Sequence, residues 1–352
     1  MNAVRRLCVV VLCASTSLWA QKPASPPETP LQGAAASRSI TFTVEVTDKA
    51  GHLVTGLEKS DFTLLDDKSP SAIQAFAAHT PGPSDPESTI IVFDNVNMGF
   101  GGDSIARDQI MNLLQKPENH IVYPVTLLMV TDTGLRQLGA TSSDPQDLLA
   151  TLKKESGQLR DIGRSAGFWG AAEREENAVN SMNMLARAAG EMSGRKLVIW
   201  LGPGWPILDN PSITYTDTEL HDVFYEAVLL SNELTKAQVT LYDVDPLGSW
   251  DAGSFRTFVW ESFTKPVREW SRALPADLAL QVLATQSGGL VLNGSNDISG
   301  EVNTCARDGS SWYTITFTPQ SSEKPDTWHS VEVRLDKPGL IVRTRPGYYA
   351  EP

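Results

Sequence analysis

Residues 88–115 read STIIVFDNVNMGFGGDSIARDQIMNLLQ. The run at 89–93 is short, apolar and rich in β-branched residues, which is typical of a buried strand. A helical pattern begins at Ser104 and continues to Leu114. The segment therefore predicts a strand, a turn and a helix, with Asp94 at the carboxyl end of the strand. Open α/β sheets bind their ligands at this end, so Asp94 marks the candidate site.

Strand-like and helix-like segments alternate through the middle of the chain. Strands are predicted at 89–93, 125–130, 197–201, 239–242 and 289–292. Helices are predicted at 104–114, 145–153, 175–192, 218–235 and 275–286. Strands that alternate with helices form a mostly parallel, doubly wound sheet with helices on both faces. We therefore predict an α/β domain over residues 86–308.

Both ends of the chain show the period-two alternation of half-buried strands. It runs through Ile40, Phe42, Val44 and Val46 near the start, and it returns over 312–317, 330–335 and 340–349. Neither end has enough strands to bury two faces of a sheet by itself. We therefore predict one small β-sandwich built from residues 38–80 and 309–352, with the α/β domain inserted between the two halves.

A group of motifs spans nearly all of the chain after the first 40 residues. They are VEVTDKAG (44–51), VTGL (54–57), DFTLLDD (61–67), SGG (287–289), WY (312–313) and RPGYY (345–349). In this combination the chain resembles the von Willebrand factor A-related proteins abundant in acidobacteria. The resemblance implies export and an A-domain, or integrin I-like, fold. The metal motif of such domains is Asp-x-Ser-x-Ser, and here Asp94 is present but Val96 and Met98 stand at the serine positions.

The metal motif is therefore degenerate. The strand at 197–201 is also followed by Gly202, where the resemblance implies a carboxylate. A hard cation needs about six oxygen ligands, so we expect no cofactor here. Asp94 is instead expected to cap a backbone turn. If Mg²⁺ or Ca²⁺ were retained, its ligands would come from Asp94, Asn97, Asp132, Asp243 and Asp245. The alternative for the last two is a turn before Pro246.

The first twenty residues indicate export. Arg5 and Arg6 precede an apolar run, and Ala20 offers a cleavage point, so we predict a signal peptide over 1–20, with a retained anchor as the alternative. Residues 21–37 are rich in proline and small residues, which predicts a disordered linker. Cleavage leaves Cys305 as the only cysteine, so no internal disulfide is expected. We expect a periplasmic or extracellular protein without a transmembrane segment in its mature form.

Charge and motifs exclude several functions. A formal net charge of −13 disfavours nucleic acid as a partner. The 5 histidines are scattered without ligand spacing, and no nucleophile elbow, phosphate loop or dinucleotide fingerprint occurs. Cys305 has no recognisable histidine partner. We therefore predict that the chain is not an enzyme.

Aromatic residues follow the carboxyl ends of several predicted strands, so they should meet at one apex. We predict partner binding by Phe100, Trp205, Trp250, Phe258 and Trp260. The alternative is that the segment around Phe258 packs on the sheet edge. A second exposed, glycine-rich loop at 163–170 adds Phe168 and Trp169.

These observations predict an exported, non-enzymatic, adhesion-type interaction module that binds a protein or a cell-surface polymer through its apex. One alternative is a divalent-metal-dependent hydrolase that uses Asp94, Asp243 and Asp245. Another is a structural subunit of an envelope assembly, which would make contact through Tyr348 and Tyr349 or through an open edge strand.

Overall fold

The computed structural model describes residues 39–82, 86–156, 167–205, 214–248, 260–319 and 324–350. The predicted signal peptide and linker lie outside these residues, as do Trp250 and Phe258. The described strands form one six-stranded sheet and two four-stranded sheets.

The strands are β1 (Ile40–Asp48), β2 (Phe62–Asp66), β3 (Ser69–Ser71), β4 (Ala75–His79), β5 (Glu87–Asp94), β6 (Val125–Thr131), β7 (Gly134–Ser142), β8 (Arg195–Leu201), β9 (Val239–Val244), β10 (Val291–Leu292), β11 (Trp312–Phe317), β12 (Trp328–Leu335), β13 (Leu340–Thr344) and β14 (Gly347–Tyr349). The α-helices are α1 (Asn95–Leu114), α2 (Pro145–Ser156), α3 (Gly167–Gly190), α4 (Asp217–Lys236), α5 (Leu280–Gln286) and α6 (Ile298–Arg307). Short 3₁₀ helices include Trp260–Phe263 and Pro275–Leu278.

The six-stranded sheet has the order β10-β9-β8-β5-β6-β7. Every pair is parallel except β6 with β7, which is antiparallel at the edge. Numbered along the chain, this is the doubly wound order 3-2-1-4-5-6. All residues of β5 and β8 are buried, because helices cover both faces of the sheet. The predicted α/β class, with a mostly parallel sheet, is confirmed.

The two smaller sheets combine strands from both ends of the chain. Their orders are β13-β1-β11-β4 and β14-β12-β2-β3. In the first, β1 runs antiparallel to β11, with Ile40 opposite Phe317. In the second, β2 pairs with β12, with Phe62 opposite Leu335. Their inner faces share one core, where the Phe42 and Phe317 rings meet edge to face at 5.7 Å. Strands from the two ends of the chain therefore pair with each other, as the predicted β-sandwich requires.

A buried cation joins the α/β sheet to the antiparallel sheets. Arg195, the first residue of β8, forms an ion pair with Glu45 of β1, and both side chains are 2% exposed. Its Nη1 lies 3.4 Å from Oε1 of Glu87, and its guanidinium lies 5.2 Å from the Trp312 ring centroid. Burial raises the pKa of Glu87 to about 8. This junction lies at the amino ends of the parallel strands, opposite the apex.

A second cation strengthens the same junction from β13. Arg343 forms an ion pair with Asp308 and donates to the carbonyl of Gly288 across 2.5 Å. The Tyr242 hydroxyl donates to the same Asp308 carboxylate across 2.7 Å. The antiparallel sheets and the α/β sheet are thus linked through paired buried charges, and an unpaired charge at such a position is costly.

Several element boundaries differ from the sequence predictions. Helix α1 begins at Asn95 rather than Ser104, because Asp94 caps it and apolar residues of its first half, Met98 and Ala106, are buried. Helix α3 begins at Gly167 rather than Glu175. The helix predicted at 275–286 is interrupted at Ala279, whose ψ of 143° is not helical.

Strand β7 and helix α6 are among the elements that were not predicted. Strand β7 is a half-exposed edge strand with many polar residues, so its apolar alternation is weak. Helix α6 contains Gly300 and several polar residues, although it buries Val302 and Cys305. Residues 53–57, which include the VTGL motif, contribute one isolated bridge, between Thr47 and Leu53.

Candidate functional site

Asp94 lies at the apex, where β5 ends and α1 begins. Its side chain is buried, and Oδ1 accepts a hydrogen bond from the backbone N–H of Asn97 at 3.0 Å. Oδ2 accepts hydrogen bonds from Nδ2 of Asn97 and from Nε1 of Trp200, each at 3.0 Å. The prediction that Asp94 caps a backbone turn is confirmed. Both carboxylate oxygens are therefore engaged in holding β5, β8 and α1 together.

Gly202 explains why no carboxylate follows β8. A Cβ atom at this position would lie 3.0 Å from Cβ of Asp94 and 3.5 Å from Cδ1 of Trp200. The hydrogen-bonded pair of Asp94 and Trp200 thus occupies the space that a longer side chain would need. The resemblance implied a metal-binding carboxylate here, and the structure places a buried indole in contact with Asp94 instead.

A second carboxylate lies in the interior at the end of β9. Asp243 is 1% exposed, and its Oδ1 has no hydrogen-bond partner among the described residues. Burial raises the pKa of Asp243 well above its ordinary value, and the nearby charges of Asp245, Asp94 and Glu301 raise it further. These surroundings favour the protonated form of Asp243 more than those of an exposed aspartate do.

Two further acids surround Asp243. Oδ1 of Asp245 accepts a hydrogen bond from the N–H of Leu247 at 2.9 Å, so this residue forms the turn predicted before Pro246. Glu301, on α6, is half-buried, and burial raises its pKa to about 7, aided by the charges of Asp245 and Asp297. The apex therefore holds two acids, Asp243 and Glu301, whose pKa values are raised above those of exposed carboxylates.

The five predicted metal-ligand candidates do not all meet. Asp94 and Asn97 are in contact, and Asp243 and Asp245 lie close enough for their charges to interact. Asp132 is exposed in the turn between β6 and β7. Within the described part of the chain, one group of three acidic, histidine or cysteine side chains brings its ligand atoms within 4.8 Å of one another. That group does not lie at the apex.

The predicted aromatic surface needs correction at Trp205. This side chain is 2% exposed, and its ring packs edge to face on Trp200 at 5.5 Å. Gly204, with φ of 82°, makes the preceding turn, and a Cβ there would lie 1.8 Å from Nε2 of Gln281. This close approach to α5 turns the chain inward and places Trp205 in the core. Trp205 is therefore not an exposed contact residue.

The other predicted contact residues have different positions. Trp260 begins a short 3₁₀ helix and is partly buried. Phe100 belongs to α1, but the structure does not describe its side chain. Tyr348 and Tyr349, suggested as an envelope contact, are 3% and 2% exposed, so they too are core residues. Sequence alternation identified their strand but did not show that both faces of it are covered.

An exposed tryptophan lies at the apical end of α3. Nδ2 of Asn177 on this helix donates to the carbonyl of Thr131, at the carboxyl end of β6, across 2.9 Å. The helix begins ten residues earlier, at Gly167, so Trp169 projects ~12 Å past the level of Thr131 at 1.5 Å per residue. Trp169 is 80% exposed. The sequence predicts an exposed loop at this position, and the structure places Trp169 on a helix.

The cysteine expected to remain after signal cleavage lies in the core. Cys305 is fully buried on α6, and burial raises the pKa of its thiol well above the ordinary value.

Among the described residues, none of the helices combines the length and apolar character needed to cross a bilayer.

No protein-family model and no curated protein matches the chain. Among solved structures, it is similar to the human COPII-coat protein Sec24c at 10% identity and a TM-score of 0.38; the match covers 81% of this chain and 46% of that one. An aerotolerance-related membrane protein from Bacteroides fragilis matches at 12% identity and a TM-score of 0.34, over 63% of this chain and 98% of that chain.

Manganese-loaded TRAP protein from Plasmodium vivax is similar at 11% identity and a TM-score of 0.33, with 77% of this chain and 96% of that chain covered. At this level of similarity the three structures carry no information about what this chain binds. The family resemblance rests on the sequence motifs, and the α/β fold rests on the strand order described above.

Proposed function

We propose that this chain is an exported, non-enzymatic binding module that holds a protein partner at the apical end of α3. The single observation that carries the proposal is Trp169, which is 80% exposed on a helix that projects past the sheet. Tryptophan is among the residues that contribute most to binding energy at protein interfaces. A rigid helix also presents the ring with little loss of conformational freedom on binding.

The surroundings of Trp169 favour a partner with a basic surface. Glu173 and Glu176 follow four and seven residues later, so they share one side of α3 with the tryptophan. Both glutamates are exposed. The formal net charge of −13 repels anionic polymers and attracts cationic surfaces. A basic protein surface therefore suits this end of the helix better than an acidic cell-surface polymer does.

Export is part of the proposal and rests on residues 1–20. A charged start, a short apolar run and Ala20 at a cleavage point support secretion to the periplasm or beyond. The buried position of Cys305 suits an oxidising compartment, because a buried thiol with a raised pKa resists oxidation and exchange.

A carboxylate-dependent hydrolase is the second candidate, and the apical acids favour it. Asp243 has a raised pKa, and Glu301 has a pKa of about 7, and such perturbed acids gather at catalytic sites. The hydrogen bonds that engage both oxygens of Asp94 weigh against it. Glu301→Gln would abolish an activity of this kind while leaving a binding function at Trp169 intact.

Photo-crosslinking tests the binding proposal directly. The photoreactive amino acid p-benzoylphenylalanine replaces Trp169 in one variant and Tyr225 in a matched control, because Tyr225 is another exposed aromatic residue, 64% exposed on α4. Irradiation in the native cell envelope should give one defined protein adduct from position 169 and none from position 225. The same adducts from both positions, or none from position 169, would move the binding surface elsewhere.

A further inference from the structure

Two aspartates and a histidine meet at one end of the sheet formed by β14, β12, β2 and β3. Asp66 ends β2, Asp67 follows it in the turn to β3, and His329 lies on the neighbouring strand β12. Nδ1 of His329 lies 2.9 Å from Oδ2 of Asp67 and 3.9 Å from Oδ1 of Asp66. Among the described residues, this is where three ligand atoms come within 4.8 Å of one another.

The histidine side chain is almost fully buried. It is 8% exposed, and neither ring nitrogen has a hydrogen-bond partner among the described residues, although Nδ1 is close to Asp67. Buried polar groups are nearly always satisfied by a hydrogen bond, an ordered water or an ion. Nδ1 faces both aspartates, so an ion between the three side chains would satisfy it.

Neighbouring groups hold each of the three side chains in place. The His329 ring stacks on the Tyr348 ring, with the ring centroids 5.1 Å apart and an angle of 6° between the ring planes. The hydroxyl of Tyr348 donates to Oδ2 of Asp66 across 3.0 Å. Oδ1 of Asp67 accepts hydrogen bonds from the backbone N–H and the hydroxyl of Ser330, at 2.9 and 3.0 Å. Supporting contacts of this kind orient metal ligands, and here they direct Oδ1 of Asp66 and Oδ2 of Asp67 toward the imidazole.

We propose that Asp66, Asp67 and His329 bind one divalent transition-metal ion, with Zn²⁺ the best match. Ligands bound to zinc at ~2.1 Å in a tetrahedron lie ~3.4 Å apart, and the observed separations of 2.9 and 3.9 Å lie on either side of that value. An imidazole nitrogen favours zinc over Ca²⁺ and Mg²⁺, which prefer oxygen ligands.

Solvent has access to the proposed ion from one side. The Asp67 side chain is 42% exposed, so water can reach the ion from this side. Three protein ligands with one position left for water is a known zinc arrangement. Arg268 competes with the ion, because its positive charge acts on Asp67. The site lies in the antiparallel sheets, so it is independent of the apex and of the binding function proposed there.

Isothermal titration of untagged full chain with Zn²⁺ tests the proposal. The decisive variant is Asp67→Asn, because asparagine suits the φ of 46° at this turn and keeps an acceptor for Ser330. His329→Gln is the second variant. The control is His52→Gln, which removes an exposed histidine whose Nδ1 lies 3.0 Å from a single aspartate, Asp48.

The wild-type chain should bind one Zn²⁺, and both site variants should bind it at least tenfold more weakly while giving native circular dichroism spectra. His52→Gln should bind like the wild type, and Arg268→Ala should bind more tightly because the competing charge is gone. The assignment would be overturned if the chain bound Ca²⁺ as tightly as Zn²⁺, or if folded Asp67→Asn bound Zn²⁺ like the wild type. It would also be overturned if the zinc stoichiometry fell only in His52→Gln.

Discussion

Nε1 of Trp200 donates a hydrogen bond to Oδ2 of Asp94 across 3.0 Å in the interior of the protein. Both side chains are fully buried, and the bond links β8 to the last residue of β5, which caps α1. The residue that the sequence motifs mark as the start of a metal site is therefore part of the core. The buried carboxyl group of Asp94 depends on this indole and on Asn97 for its hydrogen bonds.

Trp200→Phe should lower the free energy of unfolding by ~1–3 kcal/mol beyond the loss of ring contacts, because it leaves a buried carboxylate oxygen with one donor fewer. Urea unfolding of Trp200→Phe, Asp94→Asn and the double variant measures the coupling of the pair. Additive losses in the two single variants would show that the hydrogen bond contributes nothing of its own.

Arg195→Met should cost ~3–5 kcal/mol of unfolding free energy, because it removes the cation from buried Glu45 and Glu87 while keeping an apolar stem. Chemical denaturation followed by tryptophan fluorescence measures the loss. The matched control is Arg334→Met, which breaks an exposed pair with Glu332 and should leave the free energy of unfolding almost unchanged. Equal midpoints for Arg195→Met and the wild type would mean that the junction does not depend on this charge.

Glu175 makes stability depend on pH. Burial raises the pKa of its side chain from 4.5 to about 8 in the folded chain. Folding therefore favours the protonated form, so this contribution to stability is complete below pH 4.5 and disappears as the pH rises to 8. The wild type should be more stable at pH 5 than at pH 8.

Glu175→Gln should reduce the fall in melting temperature between these two pH values. Glu87 shares the same window, so part of the slope should persist. Thermal scans across this range measure the effect, and Glu176→Gln, an exposed neighbour, controls for the loss of one negative charge. A Glu175→Gln profile as steep as that of the wild type would contradict the assignment.

Deletion of residues 311–352 should make the remaining chain aggregate. It removes β11 from between β1 and β4, and β12 from beside β2, so Phe42, Val44 and Phe62 lose their cover. Size-exclusion chromatography with light scattering reports the aggregation. A monomeric truncated chain with an undiminished melting temperature would show that the two ends do not depend on each other.

Local pattern in the sequence determined most of the secondary structure and its arrangement. The apolar run before Asp94 predicts a buried strand whatever surrounds it, and the alternation at both ends predicts strands that need partners. Because an incomplete sheet cannot bury its own apolar face, the joining of the two ends also follows from the sequence. The capping of a backbone turn by Asp94 was also predictable, since an aspartate at the end of a strand commonly accepts a hydrogen bond from the backbone of the turn that follows.

Tertiary structure alone decided where the distinctive side chains lie. Trp205 is buried because Gly204 turns the chain toward α5, and the direction of a side chain after such a turn is not encoded in hydrophobic periodicity. Arg195 and Glu45 are 150 residues apart in sequence, and His329 and Asp67 are separated by 262. Contacts over such separations depend on strand order and register, which bring together side chains whose local sequences contain no sign of each other.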